Sequence, residues 1–379
     1  MMETFPLLSS LAFALALGYF FTALYMLSFP AAQKSGKSGR LSVAVLVSVR
    51  NEEKYIADCL KALENQDYPQ HLYNIYVIDD QSDDRSAEII SAFVVKNPHF
   101  HLIKIREEKD GLRGKMNALA QALVTVDEDI ILITDADCIV PGSWIRTHCA
   151  YFDDATGMVG ALTLLEPPDF ITARQHRRTF FGRLQALDWI YLQAVAAASS
   201  NAGKPITILG NNFAFRNEAY IAVGGFKALG FSPTEDFALM QAMERQGRWK
   251  IKHVLDRGNT IFSHPVDGPG AFIRQRMRWV IGGRRARLWG YFIMGLAFIT
   301  YFFIILVIVA DQFNLISAGA IGLVLGIDYL IIKQQTRKTG LNRLLTWFLP
   351  YEIFHFAYTL FFGLIAFLPL KIRWKGRRI

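Results

Sequence analysis

The stretch "ILITDADCIV", residues 131–140, has the pattern of a buried strand that ends in two aspartates, Asp135 and Asp137. Side chains alternate between the two faces of an extended strand, so these two carboxylates lie on the same side of its end. They can share a hard divalent cation, and oxygen ligands are what Mg²⁺ prefers. Aspartate is also a common helix cap, so the stretch alone leaves a metal site and a cap open.

Strand-like and helix-like segments alternate around this stretch. The strand-like runs are "LSVAVLVSV" (41–49), "LYNIYVID" (72–79), "FHLIKI" (100–105) and "DIILIT" (129–134), and the helical segments are 52–66, 86–95 and 115–124. This order predicts an α/β fold with a doubly wound, mainly parallel sheet and flanking helices. Ligands of such sheets bind at the carboxyl ends of the strands, where "RNEE", "DDQSDD" and "TDAD" gather polar and acidic side chains.

Long apolar segments flank the alternating region, and 52% of the chain is hydrophobic. These segments are residues 5–29, 289–310, 313–332 and 344–370. Each is close to the ~20 residues that a membrane crossing needs, so we predict four transmembrane helices. A buried core helix is the alternative for each segment.

The charges favour a membrane rather than a nucleic acid as partner. The net charge is +8, and basic residues concentrate at 274–287 and 371–378, next to apolar segments, where anionic lipid headgroups would attract them. Basic residues follow the first apolar segment rather than precede it, which predicts an anchor with region 34–288 in the cytoplasm. Three cysteines without metal-type spacing agree with a reducing compartment.

Polar residues also follow the second strand and open the third helix. Asp79 and Asp80 end the second strand, where carboxylates can accept hydrogen bonds from a nucleotide base or ribose. In "GLRGKMNAL" (111–119), Lys115 follows Gly114 at a helix start, and together they can form an anion site. A solvated lysine in the first helical turn is the other interpretation.

Two further motifs lie beyond residue 200. "SPTEDFAL" (232–239) places Glu235 and Asp236 at a helix start, where capping is a sufficient explanation on its own. "RQRMRW" (274–279) lies beside an apolar segment, where basic and aromatic side chains also form interfacial belts.

Taken in order, these motifs resemble one family. The chain is similar to membrane-integrated family 2 glycosyltransferases with a GT-A catalytic domain. That group includes ceramide glucosyltransferase, hopanoid-pathway transferases, and cellulose, hyaluronan and poly-N-acetylglucosamine synthases. The resemblance spans roughly residues 41–285 and rests on "VSVRNEE", "VIDDQSDD", "GKMNAL", "TDADC", "GNNFAFR", "TEDFAL" and the Q-x-x-R-W form "QRMRW".

The resemblance implies a role for each matching residue. The implied nucleotide-sugar-binding residues are Arg50, Asn51, Glu52, Asp79, Asp80, Lys115 and Asp135. Asp137, with Asp135, matches the motif that holds Mg²⁺ or Mn²⁺, and Asp137 is the expected direct ligand. Asp236 matches the general base, with Glu235 beside it. The implied diphosphate and acceptor residues are Gln275, Arg278 and Trp279.

The expected reaction is transfer of one sugar from a nucleotide-diphosphate sugar, with a UDP-sugar as the expected donor, to a hydroxyl of a membrane lipid. A divalent cation and cationic side chains would stabilise charge on the departing diphosphate. Deprotonation of the acceptor needs one positioned carboxylate, and Asp236 is the one candidate, which predicts direct displacement with inversion. Neither a transporter nor a catalytically dead subunit would need Asp137 and Asp236 together.

The alternative acceptor is a growing polysaccharide made by a processive synthase. Such a synthase needs a transmembrane channel, and four predicted crossings leave few helices to form one. The basic ending "RWKGRR" also resembles lipid-directed members of the family. We therefore expect a lipid acceptor.

The predicted organisation is an anchor (1–33), a GT-A domain that includes the Q-x-x-R-W segment (34–288), transmembrane or re-entrant helices (289–370) and a basic tail (371–379). The expected location is a bacterial inner membrane with the GT-A domain in the cytoplasm. Three full crossings after that domain would place the tail outside, against the positive-inside rule. Segment 344–370 is the weakest predicted span. Asp328 either faces protein or lies near the interface.

Overall fold

The structure is a computed structural model of the 379-residue chain. It describes residues 5–35, 41–166, 179–310, 313–366, 368, 373–374 and 377–378. The chain divides into two compact units. The sheet unit consists of Ala31–Arg177 and Thr207–Pro265, and the helical unit consists of Met1–Pro30, Arg178–Ile206 and Val266–Ile379.

The sheet unit contains strands and short helices in alternation, as the sequence pattern predicts. Its strands are β1 (Val43–Val49), β2 (Tyr73–Asp79), β3 (Phe100–Lys104), β4 (Ile130–Asp135), β5 (Thr156–Ala161), β6 (Thr163–Leu164), β7 (Asn212–Arg216), β8 (Lys250–Val254) and β9 (Ile261–Phe262). Its helices are α2 (Ile56–Glu64), α3 (Ser86–Val94), α4 (Gly114–Ala122), α5 (Trp144–Cys149), α7 (Asn217–Ala222), α8 (Gly225–Leu229) and α9 (Glu235–Arg245).

The main sheet has the order β3-β2-β1-β4-β7-β5-β8. Strands β3, β2, β1 and β4 are parallel, and β5 pairs with β8 in parallel, whereas β7 runs antiparallel to both β4 and β5. The predicted mainly parallel α/β sheet is therefore confirmed, with β7 as its reversed strand. Residues 43–47 of β1 are fully buried, as expected for a strand covered on both faces.

The strand register brings the predicted polar residues to one edge. Ser48 of β1 pairs with Asp135 of β4, and Val49 of β1 pairs with Asp79 of β2. In the sheet, β2 lies on one side of β1 and β4 lies on the other side. This is the switch point of an open α/β sheet, where a crevice forms at the carboxyl ends.

Asn212, at the start of β7, is a buried polar centre that ties several segments together. Its amide nitrogen donates to the carbonyls of Leu162 (2.8 Å) and Asn259 (2.9 Å). Its amide oxygen accepts from Trp144 Nε1 at 2.9 Å and lies 3.1 Å from His148 Nε2. The hydrogen bonds of this one residue therefore link α5, β7 and the loops before β6 and β9.

Within its described residues, the helical unit contains six long helices, a 3-10 helix at Asn342–Trp347 and a short hairpin. The helices are α1 (Phe5–Leu27), α6 (Phe180–Asn201), α10 (Gly268–Gly283), α11 (Leu288–Val309), α12 (Leu315–Thr339) and α13 (Phe348–Ile365), and the hairpin pairs β10 (Arg373–Trp374) with β11 (Arg377–Arg378). Four segments of the described chain are long and apolar enough to cross a membrane, namely Leu7–Leu27, Leu288–Val309, Leu315–Thr339 and Asn342–Ile365.

Helix α6 lies within the helical unit and packs against α1, α12 and α13. Most of its side chains are buried. Asp328 of α12 is also fully buried. It therefore faces protein rather than the membrane interface, and the hydroxyl of Tyr19 donates to its Oδ1 at 2.9 Å.

Candidate active site

The loops after β1 and β2 form one connected rim at the carboxyl edge of the sheet. The backbone N–H of Asn51 donates to Ser82 Oγ at 3.2 Å, and the N–H of Asp83 donates to Asn51 Oδ1 at 2.9 Å. Asn51 has a φ of 56°, a left-handed conformation that asparagine tolerates better than most residues. The N–H of Glu52 donates to Ser86 Oγ at 2.8 Å, which connects the first loop to the start of α3.

The two aspartates that end β2 are buried at this rim. The Asp79 carboxylate accepts the N–H of Ser82 at 3.2 Å and so organises its own loop. Arg50 Nη1 donates to the Asp80 carbonyl at 3.1 Å and lies 3.9 Å from its carboxylate. The rim thus brings together the five residues predicted to surround the nucleotide base and ribose: Arg50, Asn51, Glu52, Asp79 and Asp80.

Lys115, in the first turn of α4, connects the end of β4 with the start of α9. Its ammonium donates to Asp135 Oδ1 and to the Gly210 carbonyl, both at 2.6 Å, and lies 3.1 Å from Glu235 Oε1. Burial alone would lower the pKa of Lys115, but the charges of Asp135 and Glu235 raise it above its ordinary value. The sequence predicted a lysine directed at the diphosphate. The structure shows that this lysine also links two acidic segments.

Gly210 allows the carboxylates of α9 to approach this linkage. A Cβ atom at Gly210 would lie 2.9 Å from Asp236 Oδ2 and 3.3 Å from Glu235 Oε1, closer than packed side chains allow. Glu235 is 5% exposed and Asp236 is half-buried. Sequence reasoning did not assign a role to Gly210, although the glycine that opens "GNNFAFR" was the available signal.

Asp135 and Asp137 form a pair of mutually repelling carboxylates at the end of β4. Burial, followed by the charges of Asp135 and Glu52, raises the pKa of Asp137 to about 6. Ser263 Oγ donates to Asp137 Oδ2 at 3.2 Å and holds its orientation. Two half-buried carboxylates that repel each other fit a divalent cation, which would offset their charge. In the part of the chain that the structure describes, no cluster of three or more His, Cys, Asp or Glu side chains could hold a metal ion, so water and phosphate oxygens would have to complete the coordination.

Ser263 was another residue that the sequence did not single out. It follows β9, which is distant from β4 in the chain. The next residue, His264, stacks on Tyr55 with ring centroids 4.5 Å apart. These contacts tie the loop after β9 to the segment that precedes α2.

The predicted Q-x-x-R-W residues, Gln275, Arg278 and Trp279, lie on α10 of the helical unit and not in the sheet unit. Their neighbour Arg276 is buried and forms an ion pair with Asp188 of α6. The ring of Trp279 lies 4.0 Å from the Arg276 guanidinium. Arg276 stands in the basic segment "RQRMRW", but sequence reasoning predicted neither its burial nor its pairing with Asp188, because the two residues are 88 positions apart in the chain.

The mixed sheet, with its acidic switch point, defines a GT-A fold. The structure superposes on a mannosyltransferase from Pyrobaculum calidifontis, solved with GDP-Man and Mn²⁺, with a TM-score of 0.58 and 19% identity over 93% of this chain and 98% of the other. At that identity the likeness establishes the fold alone. The sequence profile of the family "Glycosyltransferase like family 2" matches residues 40–282, and the chain belongs to this family. The predicted family is thus confirmed.

Two curated relatives show the range of named activities. A Beta-monoglucosyldiacylglycerol synthase of Synechocystis sp. is 27% identical over 251 residues, which is 64% of this chain and 47% of the relative. An N-acetylglucosaminyltransferase of Rhizobium meliloti is 28% identical over 247 residues, which is 63% of this chain and 54% of the relative. The chain spans about half the length of these relatives.

Proposed function

We propose that this protein transfers one sugar from a nucleotide-diphosphate sugar to a hydroxyl group of a membrane lipid. The observation that carries the proposal is the linkage of Asp135 to Glu235 through Lys115, with Asp236 against Gly210. This linkage brings Asp135, one of the two carboxylates suited to a metal ion, together with the segment that carries the candidate base Asp236. The four candidate membrane spans and the relatives named Beta-monoglucosyldiacylglycerol synthase support a lipid as the acceptor.

The donor end of the site would bind the nucleotide through the rim. Asp80 and Arg50 offer an acceptor and a donor for the base or ribose, and Asn51 and Glu52 sit on the same connected loop. We propose a UDP-sugar as donor. Asp137 and Asp135 would hold Mg²⁺ or Mn²⁺, which when bound stabilises charge on the departing diphosphate.

The acceptor end of the site would use Asp236 as general base. Its carboxylate would take the proton of the attacking hydroxyl, while the sugar bond to the diphosphate breaks. Lys115 places a positive charge beside Asp135 and Glu235, and it connects the Gly210 carbonyl with the start of α9. With one positioned base and no second carboxylate assigned as nucleophile, we propose direct displacement with inversion at the anomeric carbon.

The placement in the cell is part of the same proposal. We propose that the sheet unit faces the cytoplasm of a bacterial cell and that the apolar helices span its inner membrane. The boundaries 34–288 for the GT-A domain and 289–370 for the following helices also remain predictions.

The test uses the full chain in lipid nanodiscs with Mg²⁺ or Mn²⁺, a panel of nucleotide sugars and a membrane lipid extract. We expect release of a nucleoside diphosphate and a discrete glycolipid by mass spectrometry, both abolished by EDTA and by Asp236→Asn. Asp127→Asn, an exposed aspartate just before the amino end of β4, is the matched control and should remain active. No nucleotide release with any donor would refute the proposal, and a high-mass glycan would instead indicate a processive synthase.

A further inference from the structure

The helical unit encloses a polar network that the proposed chemistry does not use. Asp188 of α6 is fully buried at its centre. Its Oδ2 accepts from Arg276 Nη2, its Oδ1 accepts from the Tyr358 hydroxyl, and His355 Nδ1 lies 3.3 Å from the same oxygen. We call these four residues the interior polar network. It joins α6, α10 and α13.

Several donors at this network lack a hydrogen-bond partner. In the described part of the chain, Arg276 Nε and Nη1 and the indole Nε1 of Trp189 are buried without one. Arg276 is 4% exposed, and Trp189 packs 5.2 Å from Trp279, which itself lies over the guanidinium. Buried polar groups in proteins are almost always satisfied, so these donors point to an oxygen-bearing ligand.

The charge around these donors limits what that ligand can be. Burial alone would raise the pKa of Asp188, but Arg276 and His355 hold it below its usual value, so Asp188 is the counter-ion of Arg276. Arg276 is already paired with Asp188, so its positive charge is offset. A lipid phosphate placed against Arg276 would bring a second buried negative charge next to the Asp188 carboxylate.

The network also reaches the surface of the helical unit. Tyr358 and Trp279 are half-buried, whereas Asp188 and Arg276 are enclosed. Phe272 completes the aromatic surroundings of Arg276, at 4.7 Å from its guanidinium. An uncharged polar group flanked by hydrocarbon suits such surroundings, because it satisfies the donors and adds no charge.

We propose that the acceptor is an uncharged lipid whose ester or amide carbonyl binds the unpartnered donors of Arg276 and Trp189. This inference rests on the proposed function and specifies its substrate class. Glycerol diesters and N-acyl amino alcohols carry both the carbonyl and a free hydroxyl, whereas polyprenyl phosphates lack the carbonyl and carry the excluded charge.

The test compares a diacylglycerol with a polyprenyl phosphate as acceptors for the full chain in nanodiscs. We expect glycolipid formation from the diacylglycerol and none from the phosphate. Trp189→Phe removes the indole donor and keeps an aromatic ring. It should raise the apparent KM for diacylglycerol about fivefold, which corresponds to about 1 kcal/mol, with kcat and the donor KM unchanged.

Trp289→Phe is the matched control, because the Trp289 indole already donates to Ser199 Oγ at 2.9 Å in the same unit. It should leave the acceptor KM unchanged. Sugar transfer to polyprenyl phosphate alone would overturn this inference and leave the proposed function standing, whereas absence of nucleotide release with every acceptor would refute both. An acceptor KM unaffected by Trp189→Phe, or equally affected by both substitutions, would show that the donors do not bind the lipid.

If Trp189→Phe does not accumulate, thermal stabilisation of the unmodified chain by diacylglycerol but not by polyprenyl phosphate provides the second measurement. Its absence would contradict the inference.

Discussion

Gly210 shows how a residue without a side chain can determine the position of candidate catalytic groups. The Asp236 carboxylate occupies the space that a Cβ atom would need, and the Gly210 carbonyl receives Lys115. Any larger residue must displace the Asp236 carboxylate, α9 or the loop. The candidate base therefore depends on a backbone position that carries no chemistry of its own.

Gly210→Ala should lower kcat about 10- to 100-fold, because a base displaced by a fraction of an ångström to 1 Å loses its alignment with the attacking hydroxyl. Steady-state transfer kinetics of the full chain would measure this. Gly322→Ala in α12, where a Cβ meets nothing within 4 Å, is the control and should retain activity. Unchanged kcat in Gly210→Ala would show that Asp236 tolerates displacement or is not the base.

Sequence reasoning at this scale found the acidic residues but not the contacts between them. Asp135, Asp137 and Asp236 stand in recognisable local motifs. The linkage through Lys115 joins segments 20 and 95 residues away along the chain, and such distances leave no local pattern. The same reason hid Ser263, whose position depends on the bridge between Phe262 of β9 and Ile139, which follows Asp137 by two residues.

Among the elements, β7 is anchored by the side-chain hydrogen bonds of Asn212 in addition to its pairing with β4 and β5. This one side chain satisfies two carbonyls, an indole and an imidazole in the interior. A reversed strand between parallel ones receives no support from a βαβ crossover, so side-chain hydrogen bonds of this kind help to hold it.

Asn212→Ala should lower the free energy of unfolding by about 2–4 kcal/mol, because it leaves several buried polar groups unsatisfied at once. Denaturant unfolding of the full chain in detergent, followed by tryptophan fluorescence, measures the change. Asn65→Ala, on an exposed helix end, should stay within about 0.5 kcal/mol of the unmodified protein. Equal effects of the two substitutions would contradict the assigned role.

Two buried histidines in the sheet unit make its stability depend on pH. Burial lowers the pKa of His148 and of His253 to about 4, from an ordinary value of 6.5. The folded state therefore holds both imidazoles neutral, while the unfolded state takes up protons below 6.5. Their contribution is complete above 6.5 and is lost as the pH falls towards 4.

We expect the free energy of unfolding to fall between pH 6.5 and 4 by up to about 1.4 kcal/mol per pH unit for each histidine. Unfolding of the full chain measured across this range would show the slope. His253→Gln should reduce the slope by about half, whereas His71→Gln, at an exposed position, should leave it unchanged. A slope that survives replacement of both buried histidines would assign the effect to other groups.

Element prediction succeeded where the hydrophobic period was strong. The strands and helices between residues 43 and 135 lie within a few residues of their predicted positions. The hydrophobic pattern of the sequence is weaker beyond residue 142. There, short helices separate β5, β7 and β8, and these strands pair in both parallel and antiparallel directions. Antiparallel pairing depends on long-range register, and no local periodicity specifies it.

On the scale of the whole molecule, each of the two units is built from segments that are not contiguous in the chain. The apolar helices were evident from the sequence, whereas the membership of α6 and α10 in the helical unit was not. Both helices carry charged residues, and from the sequence alone these residues look like those of a solvent-exposed helix. The ion pair of Asp188 with Arg276 gives the clearest example.

Asp188→Leu should destabilise the helical unit by about 3–5 kcal/mol, because Arg276 is then left charged and buried without its counter-ion. The double substitution Asp188→Leu with Arg276→Met should be less damaging than either single change, since it removes both charges. Apparent melting temperatures in detergent would measure the three variants. A double variant with the summed loss of both singles would show that the two side chains act independently.

The contribution of three separate chain segments to the helical unit has a consequence for biosynthesis. Asp188 leaves the ribosome 88 residues before Arg276 and 167 residues before His355. Tyr19 is made 309 residues before Asp328, whose carboxylate it binds. An unpaired carboxylate is costly to bury, so α6 cannot complete its packing until α10 and α13 have been translated. The order of translation thus sets when Asp188 acquires its partners.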